Sequence, residues 1–199
     1  MMDRELIFAV LLGYLSGSIP FGLLLTRLAG LGDVRRIGSG SIGATNVLRT
    51  GSRWVAGLTL LFDILKGFVP VFVAARLWSA DAAIAAGFGA LAGHILPVWL
   101  RFKGGKGVAT YIGVLLALFW PLAVLFIAVW LIIALAFRFS SLAALTATAA
   151  VAATSFAIAE GRLPIALLII ALVIFITHRA NLLRLLRNQE PKISFTKKA

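Results

Sequence analysis

Six long apolar runs constrain the fold of this chain more than any other feature. They cover approximately residues 6–28, 54–77, 82–100, 108–137, 141–159 and 163–178. Most are close to the roughly 20 residues that an α-helix needs to cross the hydrocarbon core of a bilayer. Charged residues make up only 13% of the chain, well below the roughly 25% usual in soluble domains. We therefore predict an all-α integral membrane protein in which residues 1–199 form one polytopic domain.

The fourth run is too long for one ordinary span. As a single helix, residues 108–137 would extend roughly 45 Å at ~1.5 Å per residue, against a hydrocarbon core of about 30 Å. Pro121 lies inside the run, and a proline either breaks a helix or begins one. The run is therefore either one tilted, kinked helix or two short helices, 107–119 and 121–137, that meet near Trp120.

The distribution of basic residues distinguishes these alternatives. With two helices the chain has seven spans and an outside N-terminus, and fifteen of its nineteen Lys and Arg residues are cytoplasmic. Three then lie outside, and Lys66 lies within the second span. With one helix, Arg138 and the basic residues of the tail, which include Lys197 and Lys198, change sides. The excess of Lys and Arg in cytoplasmic loops favours seven spans, a cytoplasmic C-terminus and two short central spans.

The predicted topology gathers the polar segments on one side of the membrane. Segments 30–53, 101–107, 138–141 and 178–199 are cytoplasmic, and the outer connections are minimal. We therefore expect function at the cytoplasmic face, where the net charge of +12 favours anionic ligands rather than nucleic acid. The chain has no cysteine, and its two histidines and seven carboxylates show no metal-ligand spacing. Neither a metal site nor a cofactor is predicted.

The stretch Phe102-Lys-Gly-Gly-Lys-Gly107 is the most distinctive of the polar segments. Glycines let successive backbone N–H groups point into one concavity, and lysines surround that concavity with positive charge. The candidate phosphate-binding residues are therefore Lys103, Gly104, Gly105, Lys106 and Gly107. The alternative is a tight basic turn that reflects only the charge bias of cytoplasmic loops.

A second glycine-rich segment, residues 38–46, formally matches G-x-G-x-x-G. The dinucleotide-binding interpretation is rejected, because that fingerprint requires a βαβ unit and a bundle of membrane spans does not offer one. The segment instead combines flexible backbone with hydroxyl, amide and guanidinium groups, which suit an anion. They belong to Ser39, Ser41, Thr45, Asn46 and Arg49. The alternative is a glycine-rich connector at the membrane interface.

Asp63, Lys66 and His94 are ionisable residues of the second and third predicted spans. Asp63 and Lys66 are three residues apart in the second span. Intramembrane charges often mark functional sites, but a self-neutralising pair on one helix face favours a packing role. His94 lies near the inner end of the third span, and we expect it to be hydrogen-bonded structure rather than a catalyst.

Two further groups of polar residues lie at span ends. Ser141 is in the first turn of the sixth span, where a serine is first a helix cap and where a helix N-terminus favours anions. His178 and Asn181 are three residues apart, so both side chains can face one ligand. The leucines and arginines of residues 182–187 predict an amphipathic helix along the inner membrane surface.

Several separated motifs occur together along the chain. They are Ser16-Gly-Ser-Ile-Pro-Phe-Gly22, Gly38 to Arg49, Asp63-x-x-Lys66-Gly67, Gly93-His94-x-x-Pro97, Phe102 to Thr110, and His178-Arg-Ala-Asn181 followed by Glu190. In this order they resemble the bacterial acyl-phosphate–glycerol-3-phosphate acyltransferases, the PlsY family. The likeness extends over essentially the whole chain and is far more specific than any single motif.

The resemblance implies a seven-span enzyme of the bacterial cytoplasmic (inner) membrane with a cytoplasmic active site. Such enzymes transfer a fatty acyl group from acyl phosphate to the 1-hydroxyl of sn-glycerol 3-phosphate in phospholipid biosynthesis. The products are lysophosphatidic acid and phosphate. The resemblance assigns catalytic roles to Ser39, Arg49, His178 and Asn181. It also implies that residues 102–107 bind glycerol phosphate and that Glu190 is structural. We expect a monomer in contact with membrane lipid.

Both implied substrates carry phosphate, which accounts for two anion sites on one basic face. No Ser-His-Asp set is apparent, so direct attack by the glycerol hydroxyl on the acyl group is more economical than a serine nucleophile. The base is either neutral His178 or a substrate phosphate oxygen. Ser39, Ser141 and Asn181 would orient phosphates or the oxyanion, and the nearby cations would neutralise them.

Two other classes of function use some of the same features. A transporter or flippase for phosphorylated compounds would use the basic residues, with Asp63 and Lys66 as a coupling pair. Against it, the outer face has no matching polar residues, and no inverted repeat is evident between the halves. A non-catalytic scaffold does not explain two glycine-rich basic loops.

Overall fold

The computed structural model describes residues 2–193. The α-helices of this range are α1 (Met2–Gly17), α2 (Phe21–Leu28), α3 (Ala44–Val47), α4 (Arg53–Leu77), α5 (Ala80–Ile95), α6 (Val108–Phe137), α7 (Ser140–Ile158), α8 (Leu163–Thr177) and α9 (Arg179–Leu186). Three short 3₁₀ turns cover Val34–Arg36, Leu48–Thr50 and Val98–Leu100. Within the described residues there is no β-strand, so the all-α prediction is confirmed.

Five helical segments are long and apolar enough to cross a membrane, or six if the bent pair of α8 and α9 counts as one span. The two helices of that pair meet at 62°, and the helix predicted after His178 is therefore present as α9. The seven-span topology and its orientation stay predictions. Lys197 and Lys198, which entered the charge argument, lie outside the described residues.

The length of the first apolar run suggested one continuous helix, but the structure divides the run into two helices. Helix α1 ends at Gly17 and α2 begins at Phe21, because Pro20 has no N–H with which to continue the helical ladder. The Ile19 carbonyl at this break accepts a hydrogen bond from the Lys66 side chain of α4, at 2.8 Å. A buried cation therefore satisfies backbone that the broken helix leaves unpaired.

The fourth run also contains a break, close to the position that its proline indicated. Phe119 has non-helical backbone angles, with φ −160° and ψ 86°, inside α6. Pro121 follows two residues later, at a position that suits the start of a helix. The chain divides here into two compact units, between Trp120 and Pro121. The expectation of a single domain stays a prediction.

Glycines allow α1 and α5 to pack backbone to backbone in the first unit. A Cβ atom at Gly13 or Gly17 would overlap the backbone of Ala86 or Ala90. Such close approach of two backbones at small residues is typical of packing between membrane helices. Ala9, Val71 and other small apolar residues of α4 and α5 complete the buried core beside it.

A second proline explains a polar contact in the core of the first unit. Pro70 lies inside α4 and cannot donate to the carbonyl of Lys66, four residues earlier. The Ser16 hydroxyl of α1 donates to that carbonyl instead, at 2.9 Å. The Lys66 side chain forms an ion pair with Asp63 at 2.7 Å. Both residues are buried, and their contacts support the expected packing role.

In the second unit, α7 and α8 pack together and the segment after α9 returns to the start of α7. The backbone of Ile193 pairs with that of Arg138, and the Arg138 guanidinium donates to the Ile193 carbonyl at 3.0 Å. The Lys192 ammonium lies 5.7 Å from the centre of the Phe139 ring. These contacts hold residues 188–193 against the first turn of α7.

Candidate active site

Asn46 organises the first glycine-rich loop of the first unit. Its side-chain amide donates to the carbonyls of Val34, Ile37 and Ser41 at 2.8–3.1 Å, and its Oδ1 accepts from the Ser39 N–H at 3.0 Å. Asn46 is 2% exposed. Its donors and acceptor are thus used within the loop. Asn46 therefore shapes the loop, and the direct phosphate contact expected of it stays a prediction.

Arg49 lies at the surface of this loop, against the residue that precedes Ser39. The Arg49 side chain folds back against Gly38, where a Cβ atom would overlap it. Gly38 has a φ of +54°, a left-handed conformation that glycine adopts without strain. Both Ser39 and Arg49 are exposed. The loop therefore carries an exposed serine and an exposed arginine near one glycine turn, residue types that suit an anion site.

Not every cation near this loop is equally available to a ligand. The Arg35 guanidinium forms an ion pair with Asp33 at 2.6 Å. Its hydrogen bond to the carboxylate holds the pKa of Asp33 well below its usual range and raises the pKa of Arg35. Arg27 lies 3.7 Å from the same carboxylate. Arg35 is thus largely neutralised, whereas Arg49 contacts the glycine turn itself.

The backbone amides of the second loop are not arranged as the expected cradle. The N–H groups of Phe102 and Lys103 donate to the carbonyls of Pro97 and Leu100. Those of Gly104 and Gly105 donate to the carbonyls of Ile95 and His94 at the end of α5, at 3.1 and 3.0 Å. The amides of residues 102–105 therefore have backbone partners, and phosphate binding by residues 102–107 stays a prediction.

The glycines of this loop serve close packing instead. A Cβ atom at Gly104 would overlap the His94 carbonyl, and one at Gly105 would overlap the His94 ring. Gly107 has a φ of +91°, which reverses the chain just before α6 begins at Val108. Any phosphate contact from this loop must then come mainly from its lysine side chains, of which that of Lys103 is exposed.

The two glycine-rich loops share one apolar support. Val34, Ile42 and Val47 of the first loop form a buried cluster with residues of α2 and α4. Leu100, two residues before the second loop, packs against the same cluster. Local contacts thus bring the first and second loops to the same end of the first unit, as the topology argument required.

Glu190 is the centre of a polar cluster in the second unit. Its Oε1 accepts hydrogen bonds from the Ser141 hydroxyl and the Asn181 amide, both at 2.6 Å, and its Oε2 accepts from Arg184 at 2.7 Å. Burial alone would raise the pKa of Glu190. The three hydrogen bonds and the charge of Arg184 outweigh this effect and lower the pKa of the carboxyl group.

This cluster changes what was expected of Ser141. Its hydroxyl is not a helix cap, because Phe139 is the N-cap residue of α7 and no side chain caps the helix there. The hydroxyl proton is donated to Glu190, so its oxygen has only lone pairs left to offer a ligand. Asn181 keeps its carbonyl oxygen and a second N–H for other contacts.

His178 is oriented by backbone at the bend between α8 and α9. Its ring is 2% exposed, and its Nδ1 lies 2.8 Å from the Ile174 carbonyl oxygen. A carbonyl only accepts, so Nδ1 carries the proton in the neutral ring and Nε2 carries the lone pair. This tautomer suits a base or a hydrogen-bond acceptor at Nε2.

An apolar groove runs between α7 and α8 in the second unit. Its volume is about 320 Å³, and it is lined by alanine, leucine and phenylalanine side chains: Ala149, Ala152, Ala153, Phe156, Leu168, Ala171, Leu172 and Phe175. Phe175 lies one helical turn before His178 on α8. One of the residues that line the groove is therefore close in sequence to the bend at His178.

Comparison with known proteins identifies the family. The family model for glycerol-3-phosphate acyltransferase matches residues 7–188. The chain belongs to the glycerol-3-phosphate acyltransferase family. A glycerol-3-phosphate acyltransferase from Brucella anthropi is 56% identical over 192 residues, which cover 96% of this chain and 95% of the relative. A glycerol-3-phosphate acyltransferase from Rhizobium meliloti is 57% identical over 181 residues, which cover 91% of this chain and 89% of the relative.

Solved structures of the same family have the same fold. The glycerol 3-phosphate form of PlsY (YgiH), an integral membrane glycerol 3-phosphate acyltransferase, has a TM-score of 0.90 and 38% identity, and covers 95% of this chain and 96% of that one. The lysophosphatidic acid form has a TM-score of 0.88 and a sequence identity of 36%, and the match covers 95% of each chain. The predicted resemblance to PlsY is confirmed, and the chain is an acyltransferase with an integral membrane fold.

Sequence reasoning about this glycerol-3-phosphate acyltransferase missed two relationships. It associated Glu190 with the motif of Asn181 but not with Ser141, although the structure joins all three. It also left His94 apart from Gly105, eleven residues later. Pro97 and the 3₁₀ turn after it were the available signal, since they reverse the chain and bring the loop back onto α5.

Proposed function

We propose that this protein transfers a fatty acyl group from acyl phosphate to the 1-hydroxyl of sn-glycerol 3-phosphate in the bacterial cytoplasmic membrane. The products would be lysophosphatidic acid and phosphate, which enter phospholipid synthesis. The observation that carries the proposal is the pair of basic glycine-rich loops on one apolar support, because two phosphate-bearing substrates need two cationic sites. The glycerol 3-phosphate and lysophosphatidic acid forms of PlsY support the same acceptor and product.

In this proposal the residues of the first unit bind and neutralise phosphate. Arg49 offers a guanidinium, which can hold two phosphate oxygens at once, and Ser39 and Thr45 offer hydroxyls. Lys103 and Lys106 supply positive charge from the second loop. Gly104, Gly105 and Gly107 shape that loop, and Asn46 shapes the first one, so their contribution is to place the charged groups.

In the second unit, His178 and Asn181 are the proposed catalytic groups. The glycerol oxygen attacks the acyl carbonyl carbon, the bond between that carbon and the phosphate oxygen breaks, and phosphate leaves with its electron pair. The hydroxyl proton passes either to Nε2 of His178 or to a substrate phosphate oxygen. Asn181 stabilises charge on the carbonyl oxygen, and Ser141 helps to hold its neighbour Glu190 in place.

Acyl phosphate brings a lipid tail that needs an apolar path. We assign it the groove between α7 and α8, because alanines line its α7 side and leave room beside the larger side chains of α8. From Ala149 to Phe156 the α7 wall extends roughly 10 Å. Because the tail is already surrounded by lipid hydrocarbon, binding there would be favoured by packing against the groove rather than by removal of methylene groups from water.

The test is a stoichiometry measurement on purified protein in detergent. Given acyl phosphate and glycerol 3-phosphate, it should release one phosphate for each lysophosphatidic acid formed. Phosphate release without the ester would indicate hydrolysis, and no reaction at all would remove the proposal. A transporter needs a sealed compartment, so activity in detergent also separates the two classes.

A further inference from the structure

The His94 ring lies directly beneath the second glycine-rich loop. His94 is near the end of α5 and only 3% exposed. A Cβ atom at Gly105 would overlap Nε2 of the ring, and the neighbouring ring carbons lie within about 3 Å of the same point. Gly105 has no positive φ, so glycine is needed there for space and not for backbone conformation.

The loop is also fastened to the residue that carries this ring. The Gly105 N–H donates to the His94 carbonyl at 3.0 Å, and the Gly104 N–H donates to the Ile95 carbonyl at 3.1 Å. The end of α5 therefore contacts the loop through its backbone and through the ring. Lys103 and Lys106 lie on either side of this glycine pair, so its path fixes where both cationic side chains begin.

The opposite edge of the ring faces the buried ion pair of α4. His94 Nδ1 lies 4.0 Å from Asp63 Oδ1, and Asp63 is paired with Lys66 at 2.7 Å. Lys66 in turn donates to the Ile19 carbonyl at the break between α1 and α2. The ring is thus held between a fixed buried pair and the loop, which limits its movement in both directions.

We propose that His94 is a positioning residue for glycerol 3-phosphate: its ring supports the Gly104–Gly105 turn and thereby places the two lysines that bind phosphate. The inference rests on the proposed function, since it takes the second loop as the acceptor's phosphate site. Removal of the ring should weaken binding of glycerol 3-phosphate selectively. It should leave the affinity for acyl phosphate unchanged.

The experiment combines steady-state kinetics with calorimetric binding of glycerol 3-phosphate to the full-length protein in detergent. His94→Ala should raise both the KM and the Kd for glycerol 3-phosphate by about tenfold, with kcat and the KM for acyl phosphate nearly unchanged. Lys103→Ala should show the same pattern. His94→Gln, which refills part of the space, should recover part of the affinity. Val71→Ala truncates a buried side chain elsewhere in the core. It should not raise the KM for glycerol 3-phosphate relative to the KM for acyl phosphate.

A second pair of variants tests the steric contact itself. Gly105→Ala should weaken glycerol 3-phosphate binding, and Gly105→Ala/His94→Ala should bind better than Gly105→Ala because the overlapping ring is gone. Gly57→Ala is the matched control, because no atom lies within 4 Å of the added Cβ. It should bind as the unmodified protein does.

The proposal is overturned if His94→Ala lowers kcat and changes both KM values together, since that is the pattern of a merely structural residue. It is also overturned if Gly105→Ala binds glycerol 3-phosphate normally, a result that decides the matter even if His94→Ala does not fold. If the unmodified protein binds glycerol 3-phosphate but does not react with acyl phosphate, the proposed donor is wrong, whereas the binding comparison still tests His94.

Discussion

The side-chain amide of Asn181 donates a hydrogen bond of 2.6 Å to the carboxylate of Glu190, nine residues later in the chain. The same oxygen accepts from Ser141 at 2.6 Å. One carboxylate therefore fixes two side chains that were expected to act on substrates. Its own role in the structure is to hold them, together with the segment that follows α9, against the start of α7.

Replacement of Glu190 should disable the enzyme through this contact. Glu190→Ala removes the acceptor for Ser141, Asn181 and Arg184, and should cost about 2 kcal/mol of stability or more, as is usual when hydrogen bonds to a charged group are lost. Glu190→Gln should cost less, because it retains one acceptor oxygen. Thermal unfolding in detergent and initial rates measure both effects. Glu160→Gln, at an exposed position, is the control, and equal behaviour of the two Gln variants would contradict the assigned role.

The lowered pKa of Glu190 also predicts a dependence of stability on pH. A carboxyl group whose pKa is lower in the folded state stabilises the fold fully above its unfolded value, which is about 4.5. The contribution is lost as the pH falls through the lower, folded-state pKa. The difference in melting temperature between the unmodified protein and Glu190→Gln should therefore shrink as the pH is lowered below about 4.5. A difference that stays constant down to pH ~3 would show that ionisation of Glu190 contributes nothing.

Arg49 and Gly38 should act as one unit. Arg49→Ala should reduce kcat/KM by about 100-fold, in the range seen when one stabilising donor is removed. Gly38→Ala should also reduce it, because the added Cβ overlaps both the Asn46 Oδ1 atom and the Arg49 side chain. In the double variant the two losses should be clearly less than additive.

Gly30→Ala provides the control for this pair. Gly30 has a comparable φ of +68°, but no atom lies within 4 Å of an added Cβ, so it shares the backbone strain of Gly38→Ala without the contact. The measurement is kcat/KM for Arg49→Ala, Gly38→Ala, the double variant and Gly30→Ala. If Gly30→Ala and Gly38→Ala lose the same activity, backbone strain alone explains the effect and Arg49 is not held by Gly38.

His178 should be required for turnover more than for binding. His178→Asn can still donate to the Ile174 carbonyl but has no basic nitrogen, so kcat should fall by about 100-fold or more while the KM for glycerol 3-phosphate changes little. The kcat of His178→Gln should fall by a similar factor. Full turnover by either variant would exclude His178 as the base and leave a substrate phosphate oxygen in that role.

The membrane class and the approximate extent of most helices could be predicted from the sequence, because long apolar runs have few ways to fold. The break at Phe119 followed from the length of the fourth run and from Pro121. The break after Gly17 was missed because Ser18 and Ile19 are compatible with a helix and only Pro20 opposes it. Its stability depends on Lys66, nearly fifty residues away, which no local pattern reveals.

The residue types of the candidate site were also predictable, whereas several of their roles were not. Glycines near lysines suggested a cradle of N–H groups, but the amides of Gly104 and Gly105 pair with the end of α5. Asn46 looked like a ligand-binding amide, yet four hydrogen bonds use it inside its own loop. In both cases tertiary hydrogen bonds, which the sequence does not display, decide between shaping a site and contacting a ligand.

The central claim, transfer of an acyl group from acyl phosphate to glycerol 3-phosphate, is tested most directly by a comparison of donors. Purified protein and labelled glycerol 3-phosphate are incubated with acyl phosphate or with the thioester acyl-CoA of the same chain length, and labelled lysophosphatidic acid is measured. We predict that lysophosphatidic acid forms with acyl phosphate as the donor and not with acyl-CoA. The Arg49→Ala variant should form much less lysophosphatidic acid from acyl phosphate. Product from acyl-CoA but not from acyl phosphate would contradict the account.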